Sequence, residues 1–400
     1  MAAVPICFPF AADIDVGGGH RSAMLLIRHL DRRRFQSILV LHGREGPAGR
    51  WLASHGADLH QVRLEGYAGG ARHGALHDAA YIVQQTSRLA RFLRRQRPGI
   101  LHANDVWMLG TWALAAKCAG VKLLWHHRSG ARYKPIHRVG FALADRMVAV
   151  SPFAAGRRAD HPKCKIIADP FEAEGGRDRQ RCRDDLLGEL NLPPETRILG
   201  FFANLNRPAS ERKRPLVFVE TVAALRERAP DLLVVGAMYG NVDASFKAQV
   251  EEHAAAKGIA ERIFLMGFRD PPEPHLLAAD AVLTPAVDEG FGRALIEAML
   301  LGAPVIASNC GNHPDLVRDG DTGLLVPADD PGAFADGVLA LLRDPERRAA
   351  IVKRARADAD RRFGAQASAD AVMAVYDELL GTPDADVPPG RAPAAADDRL

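Results

Sequence analysis

The stretch that decides the fold reads Thr284-Pro285-Ala286-Val287-Asp288-Glu289-Gly290-Phe291-Gly292-Arg293-Ala294-Leu295-Ile296-Glu297-Ala298-Met299-Leu300-Leu301-Gly302-Ala303-Pro304-Val305. Just before it, residues 281–283 form an apolar run of strand length. Gly290 and Gly292 break the run, a helix-length apolar segment follows to Leu301, and an apolar strand-length run restarts at Val305. Strand, glycine turn, helix and strand in close succession make one crossover unit of a parallel sheet. Ligands of such units bind beyond the carboxyl ends of the strands. There the glycines let the backbone approach closely, and the helix N-terminus offers unpaired N–H groups to an anion.

The same alternation runs outward in both directions. In the first half, strands are expected at 4–8, 37–41, 100–103, 123–125 and 147–150, with helices at 21–30, 76–95 and 106–119. In the second half, strands are expected at 198–203, 232–235, 263–266, 281–283 and 305–307, with helices at 214–228, 244–257, 293–301 and 333–342. The fold class is therefore α/β, with two Rossmann-like doubly wound domains facing across a deep cleft. The first domain is expected over 1–170, an interdomain linker over 171–194 and the second domain over 195–360. A C-terminal helix at 361–380 is expected to pack back on the first domain, and the Pro-, Ala- and Asp-rich tail 381–400 to be disordered.

With 400 residues, 48% hydrophobic and 25% charged, the chain is long enough for two buried cores. It has no apolar run near the roughly 18 residues of a membrane span. Its start, Met1 to Phe10, lacks the basic opening of a secretory signal. The five cysteines are scattered, which argues against a disulfide framework or a zinc site and for a reducing, cytoplasmic setting. The net charge of +3 hides an asymmetry: residues 1–170 carry 25 Lys and Arg against 11 Asp and Glu, leaving 27 against 38 for the rest. Arg32, Arg33 and Arg34 cluster, as do Arg88, Arg91, Arg94, Arg95 and Arg97, and 88, 91 and 95 share a helix face. Such a face suits an anionic membrane surface or acceptor. Without interleaved aromatics it does not suit nucleic acid.

The chemistry gathers at strand ends. From Ala294 to Leu301, Glu297 is the only polar side chain, and a carboxylate in an apolar helix needs a hydrogen-bonding partner, which ligand hydroxyls or a structural Arg would supply. Asn204, Arg207, Arg212 and Lys213 follow the strand at 198–203, and a cation there would stabilise negative charge on a departing group. Gly17, Gly18 and Gly19 follow the first strand and suit a phosphate. The dinucleotide-binding spacing fails, because position 22 is Ser and no acidic residue closes the second strand. His126, His127 and Arg128 end another strand.

Glu289 and Glu297 stand in an E-x7-E frame, E-G-F-G through E-A-M to G-A-P-V, which resembles the retaining GT-B glycosyltransferases of family GT4. The resemblance is specific over 196–345 and looser over 1–170, the acceptor-side domain. It implies that Glu289 contacts the donor sugar and Glu297 the ribose, and that Gly290, Phe291 and Gly292 line the sugar diphosphate. It implies further that Gly18 and Gly19 face the diphosphate, that Lys213 holds it, and that His127, with His126 as rival, touches the sugar. Asn204 stands where the family usually has Arg, and Arg207 or Arg212 would supply the missing charge. Arg128 in place of the commoner Asp, and Asp169 within Lys165 to Glu172, are further departures. The implied function is transfer of a sugar from a nucleotide-sugar to a saccharide or lipid-linked acceptor, with no metal or other cofactor. The setting would be cytoplasmic, with peripheral contact to the inner face of the membrane. A nucleotide-sugar-binding pseudoenzyme and a sugar-nucleotide epimerase are the rival readings.

Overall fold

The computed structural model describes residues 3–68, 75–130, 135–172, 176–205 and 211–381. Its first sheet holds β1 (Val4–Ala11), β2 (Phe35–His42), β3 (His60–Leu64), β4 (Ile100–Ala103), β5 (Lys122–His127), β6 (Arg146–Ala149) and β7 (Cys164–Ile166), in the order β3-β2-β1-β4-β5-β6-β7. Helices α1 (Gly18–His29), α2 (Pro47–His55), α3 (Ala75–Gln96), α4 (Val106–Ala119), α5 (Pro135–Leu143) and α6 (Pro152–Ala155) run between these strands. The second sheet holds β8 (Arg197–Phe202), β9 (Val234–Tyr239), β10 (Ile263–Gly267), β11 (Ala281–Thr284), β12 (Val305–Ser308) and β13 (Leu324–Val326), in the order β10-β9-β8-β11-β12-β13. Its helices are α7 (Arg179–Glu189), α8 (Pro215–Arg228), α9 (Ala244–Ala256), α10 (Glu273–Ala278), α11 (Arg293–Leu301), α12 (His313–Leu316), α13 (Pro331–Arg343) and α14 (Pro345–Arg362), and α15 (Ala365–Leu380) follows. Two parallel sheets in separate α/β domains are the fold class that the sequence predicts.

Strand alternation sorts the core into layers. Along β1, Ile6, Phe8 and Phe10 enter one cluster with Met24, Leu26 and Ile27 of α1, whereas Cys7 enters another with Leu109 and Trp112 of α4. Asp105 starts α4 by accepting from the N–H groups of Trp107 at 2.7 Å and Met108 at 2.8 Å. Burial on both faces explains why the central strands read as continuous apolar runs.

The differences from expectation fall at edges and joints. β3, β7 and β13 were not predicted: they are short edge strands, and β3 and β7 are mostly half-buried or exposed. β9 starts two residues later than expected and runs through Gly236, where a Cβ would sit 2.7 Å from the Phe218 ring of α8. The expected linker 171–194 contains α7, capped by Asp178 and packed through Leu186 and Leu187 on Ile198 and Val235. Near Gly17 the helix begins earlier than expected, so Gly18 and Gly19 already belong to its first turn. Residues 382–400 of the expected tail and Arg207 lie outside the described residues. Among the described residues, no helix is long and apolar enough to cross a membrane.

α15 leaves the second domain and completes the core of the first. Its Ala369, Val372, Val375, Tyr376 and Leu379 pack with Ile6, Phe8 and Phe35. Tyr376 is fully buried, and its hydroxyl donates to His102 Nδ1 at 2.6 Å. Tyr376→Ala is expected to cost about 3–5 kcal/mol, as for other large buried aromatics, and Tyr376→Phe about 1 kcal/mol, the worth of one hydrogen bond. Urea unfolding of both variants checks the order and the size.

Candidate functional site

A cavity of about 350 Å³ opens between the carboxyl ends of the two sheets, within the range of small-ligand sites. Gly17, Gly18 and Gly19, Arg21, Arg128 and Asp169 line it from the first domain. Asn204, Lys213, Glu289, Phe291, Gly292, Arg293 and Glu297 line it from the second, with Phe202, Tyr239 and Phe268. The N-termini of α1 and α11 both meet this space.

The turn before α11 is held by contacts from three segments. Val287 N–H donates to the Arg212 carbonyl at 2.8 Å, and Asn312 N–H donates to the Glu289 carbonyl at 3.1 Å. Asn312 Nδ2 donates to the Phe291 carbonyl at 2.9 Å, and from the first domain Ser151 Oγ donates to the Gly290 carbonyl at 2.6 Å. Gly290 is required because a Cβ there would lie 2.7 Å from the Ser129 backbone, and Gly292 because its φ is +95°. Glu289 pairs with Lys213. Burial alone would push the Glu289 carboxyl up, but the Lys213 ammonium and its hydrogen bond outweigh this and hold it below the usual carboxylate range.

Glu297 is not a lone acid. It pairs with Arg293 of its own helix, which donates from Nε at 3.0 Å and from Nη2 at 2.7 Å. Arg293 sits one residue before the apolar window and turns its Nη1 to Ser22 Oγ of the first domain at 2.7 Å. The helix is buried on one side, while Arg293, Glu297 and Leu301, one helical stripe, are half-buried.

The histidines depart further from expectation. Successive residues of β5 point to opposite faces of the sheet. His126 joins His102, at 3.1 Å, in the layer of α15, and His127 lies against the rings of Trp125 and His137 in the other layer. Neither lines the cavity; the next residue, Arg128, does. Asn204 lines it but spends its amide on the protein, donating to the Val16 carbonyl at 2.9 Å and accepting from Asn241 N–H at 3.0 Å. Arg212 contributes its carbonyl to the turn and is not among the lining residues described. Arg21 was not anticipated: it pairs across the domains with Asp270 at 2.7 Å, and Trp51 Nε1 donates to the same carboxylate at 2.6 Å. Among the described residues no group of three His, Cys, Asp or Glu converges to hold a metal ion.

The sequence matches the family models for glycosyltransferase family 4 over residues 16–166 and for glycosyl transferases group 1 over 196–344. It is 32% identical over 195 residues to the lipopolysaccharide core biosynthesis mannosyltransferase LpsB of Rhizobium meliloti, covering 48% of this chain and 54% of that one. It is 33% identical over 238 residues to the D-inositol 3-phosphate glycosyltransferase of Corynebacterium glutamicum, covering 57% and 54%. The chain spans about half the length of the curated relatives it matches. The crystal structure of Anabaena HepE in complex with UDP-glucose superposes with a TM-score of 0.77 at 19% identity, over 94% of this chain and all of that one. A glycosyltransferase structure from Rickettsia africae also gives 0.77, at 17% identity, covering 94% and 99%. At these identities the structural likeness speaks for the fold alone.

The buried histidines generate a prediction. Burial lowers His42 to about 4, and burial, with His137 and Arg158 adding, lowers His127 to about 3. The unfolded rings titrate near 6.5. Stability is therefore full above about pH 6.5 and falls as the pH drops toward 4, because the unfolded chain takes up protons that the folded rings refuse. Each ring contributes a slope of about 1.4 kcal/mol per pH unit. Melting temperatures across this window check the fall, and replacing His42 by Gln should flatten it.

Proposed function

This chain belongs to the group 1 glycosyl transferases of family GT4, and from that premise we propose that it moves a sugar from a nucleoside-diphosphate sugar to a saccharide or lipid-linked acceptor, with retained anomeric configuration and without a metal. The observation that carries the reading is the meeting of Lys213 and Glu289 in one interdomain cavity, between the N-termini of α1 and α11. The amides of Gly18 and Gly19 and the N-terminal turn of α11 suit the diphosphate. Glu289 suits the hydroxyls of the donor sugar, and Glu297, oriented by Arg293, those of the ribose. His127, buried away from the cavity, is assigned no role in the reaction. The names of the relatives, a lipopolysaccharide core mannosyltransferase and an inositol-phosphate glycosyltransferase, support a saccharide or polyol acceptor in cell-envelope synthesis. The UDP-glucose of HepE supports the donor class.

In the proposed step the bond between C1 of the sugar and the diphosphate oxygen breaks, and its electron pair leaves with the diphosphate. The acceptor oxygen bonds C1 from the same face, and its proton passes to the departing diphosphate. Lys213 offsets the charge that grows on the leaving group, more in the transition state than in the ground state. The exposed arginines 88, 91, 94 and 95 of α3, with Val83 at 70% exposure, support a cytoplasmic enzyme resting on an anionic membrane.

Three measurements bear on this. In a thermal-shift panel of UDP-, GDP- and ADP-sugars, the cognate donor at about 100 times its Kd should stabilise the chain by about 2.7 kcal/mol. Lys213→Met should lower kcat by about 100-fold or more with the fold intact; near-normal turnover removes the residue from the reaction. The anomeric signal of the product in proton NMR should match that of the donor, and an inverted product would falsify the same-face route.

A further inference from the structure

Among the described residues five cations line the cavity: Arg21, Arg128, Lys213, Arg269 and Arg293. Each has a carboxylate partner, but Arg128 differs from the others. Its side chain is 8% exposed, against 17–36% for the other four. Among the described residues its charge partner is Asp169, 2.8 Å from Nε; its Nη1 donates to Asn104 Oδ1 at 2.8 Å and its Nη2 to His126 Nδ1 at 3.0 Å, both neutral acceptors. Like the other four it has one carboxylate partner, but it is the most deeply buried of them, so water screens its charge least and a ligand in the cavity would feel it most.

The surroundings fix it in that pose. Arginine is always protonated, so His126 Nδ1 must be bare and its proton must sit on Nε2, 3.7 Å from Asp169. His102 Nε2, at 3.1 Å, then donates to His126 Nδ1, and His102 Nδ1 accepts from Tyr376 of α15. Burial, reinforced by the charge of Arg128, holds both rings far below the ordinary histidine range, so each stays neutral in one tautomer. The guanidinium stem lies against the first turn of α1, where a Cβ on Gly19 would come 3.7 Å from Arg128 Cδ. The following residues, Ser129 and Gly130, abut Gly290 and Asp288 beside the Lys213–Glu289 pair. Across the cavity Asn204 brings no charge, and its amide is committed to Val16 and Asn241.

We propose that Arg128, presented from the first domain, is the second cation of the diphosphate subsite and shares with Lys213 the charge of the leaving group. The inference rests on the reading that a nucleoside diphosphate occupies the cavity. Asp169, Asn104 and His126 are positioning residues that hold the guanidinium at the mouth of α1. The domain that faces the acceptor thus supplies charge to the departing group, so transition-state stabilisation depends on the two domains being closed.

Calorimetric titration of the full chain with UDP, GDP and ADP tests this. The nucleotide that binds is titrated again, beside its parent nucleoside, into Arg128→Lys and into the double variant Arg128→Met/Asp169→Asn, which leaves no lone buried carboxylate. Melting curves verify that both are folded; if the double variant is not, Arg128→Lys alone decides by the same comparison. A loss of about tenfold or more for the diphosphate in the double variant, partial recovery with Lys and an unchanged nucleoside affinity support the inference. Unchanged diphosphate affinity in both variants overturns it alone. Failure of the wild-type chain to bind any of the three nucleotides overturns the reading of the cavity and this inference with it. The matching nucleotide-linked uronic acid is titrated in parallel; a loss confined to it, while the free diphosphate binds as in wild type, also overturns the inference and makes Arg128 a receptor for a sugar carboxylate.

Discussion

Arg293 stands at the first position of α11 and directs its guanidinium two ways. Two of its nitrogens hold Glu297 one turn along the same helix, and the third reaches Ser22 Oγ and the Pro170 carbonyl in the first domain. Its cation also lies 4.3 Å from the centre of the Phe171 ring, at the joint between the domains. One side chain thus ties Glu297 and the start of α11 to the first turn and a half of α1 across the cavity. Gly18 answers it from the other wall, since a Cβ there would come 2.9 Å from Arg293 Cδ.

The cavity is lined by charges already paired with one another: Lys213 with Glu289, Arg128 with Asp169, Arg293 with Glu297 and Arg21 with Asp270. An empty cleft with five unpaired cations would be costly, because each buried charge loses its hydration. Paired carboxylates keep the cations charged and in place until an anionic ligand arrives. On the proposed reading, an incoming anion would exchange partners with these carboxylates instead of creating charge in a half-dry space.

Local pattern was enough to read the alternation, the turn before α11 and the placement of Lys213 and Glu289 beyond strand ends, because each depends on residues close in sequence to a strand end. What was illegible depends on distance or on face. Glu297 looked solitary because its partner sits one position before the apolar window, and the contact of that partner with Ser22 spans 271 residues. His126 and His127 looked like cleft residues because they end a strand, yet the pleat sends them into opposite layers. The residue that clears the sheet edge is the first one past the strand, Arg128. Arg128 and Asp169, two apparent departures from the family pattern 41 residues apart, turn out to be one ion pair. Edge strands β3, β7 and β13 escaped notice because an edge asks for little apolar sequence, and α7 because its polar face dominates its composition.

The placement of α15 has a consequence for synthesis. A ribosome delivers the first domain early, yet the groove beside β1 that receives Val372, Val375 and Tyr376 stays unfilled until the entire second domain has emerged. During that interval the nascent chain presents Phe8, Phe10 and Phe35 beside an incomplete layer. Isolated fragments that stop short of residue 365 share this liability, so the first half of the chain is a poor candidate for expression on its own unless the last helix is supplied in trans.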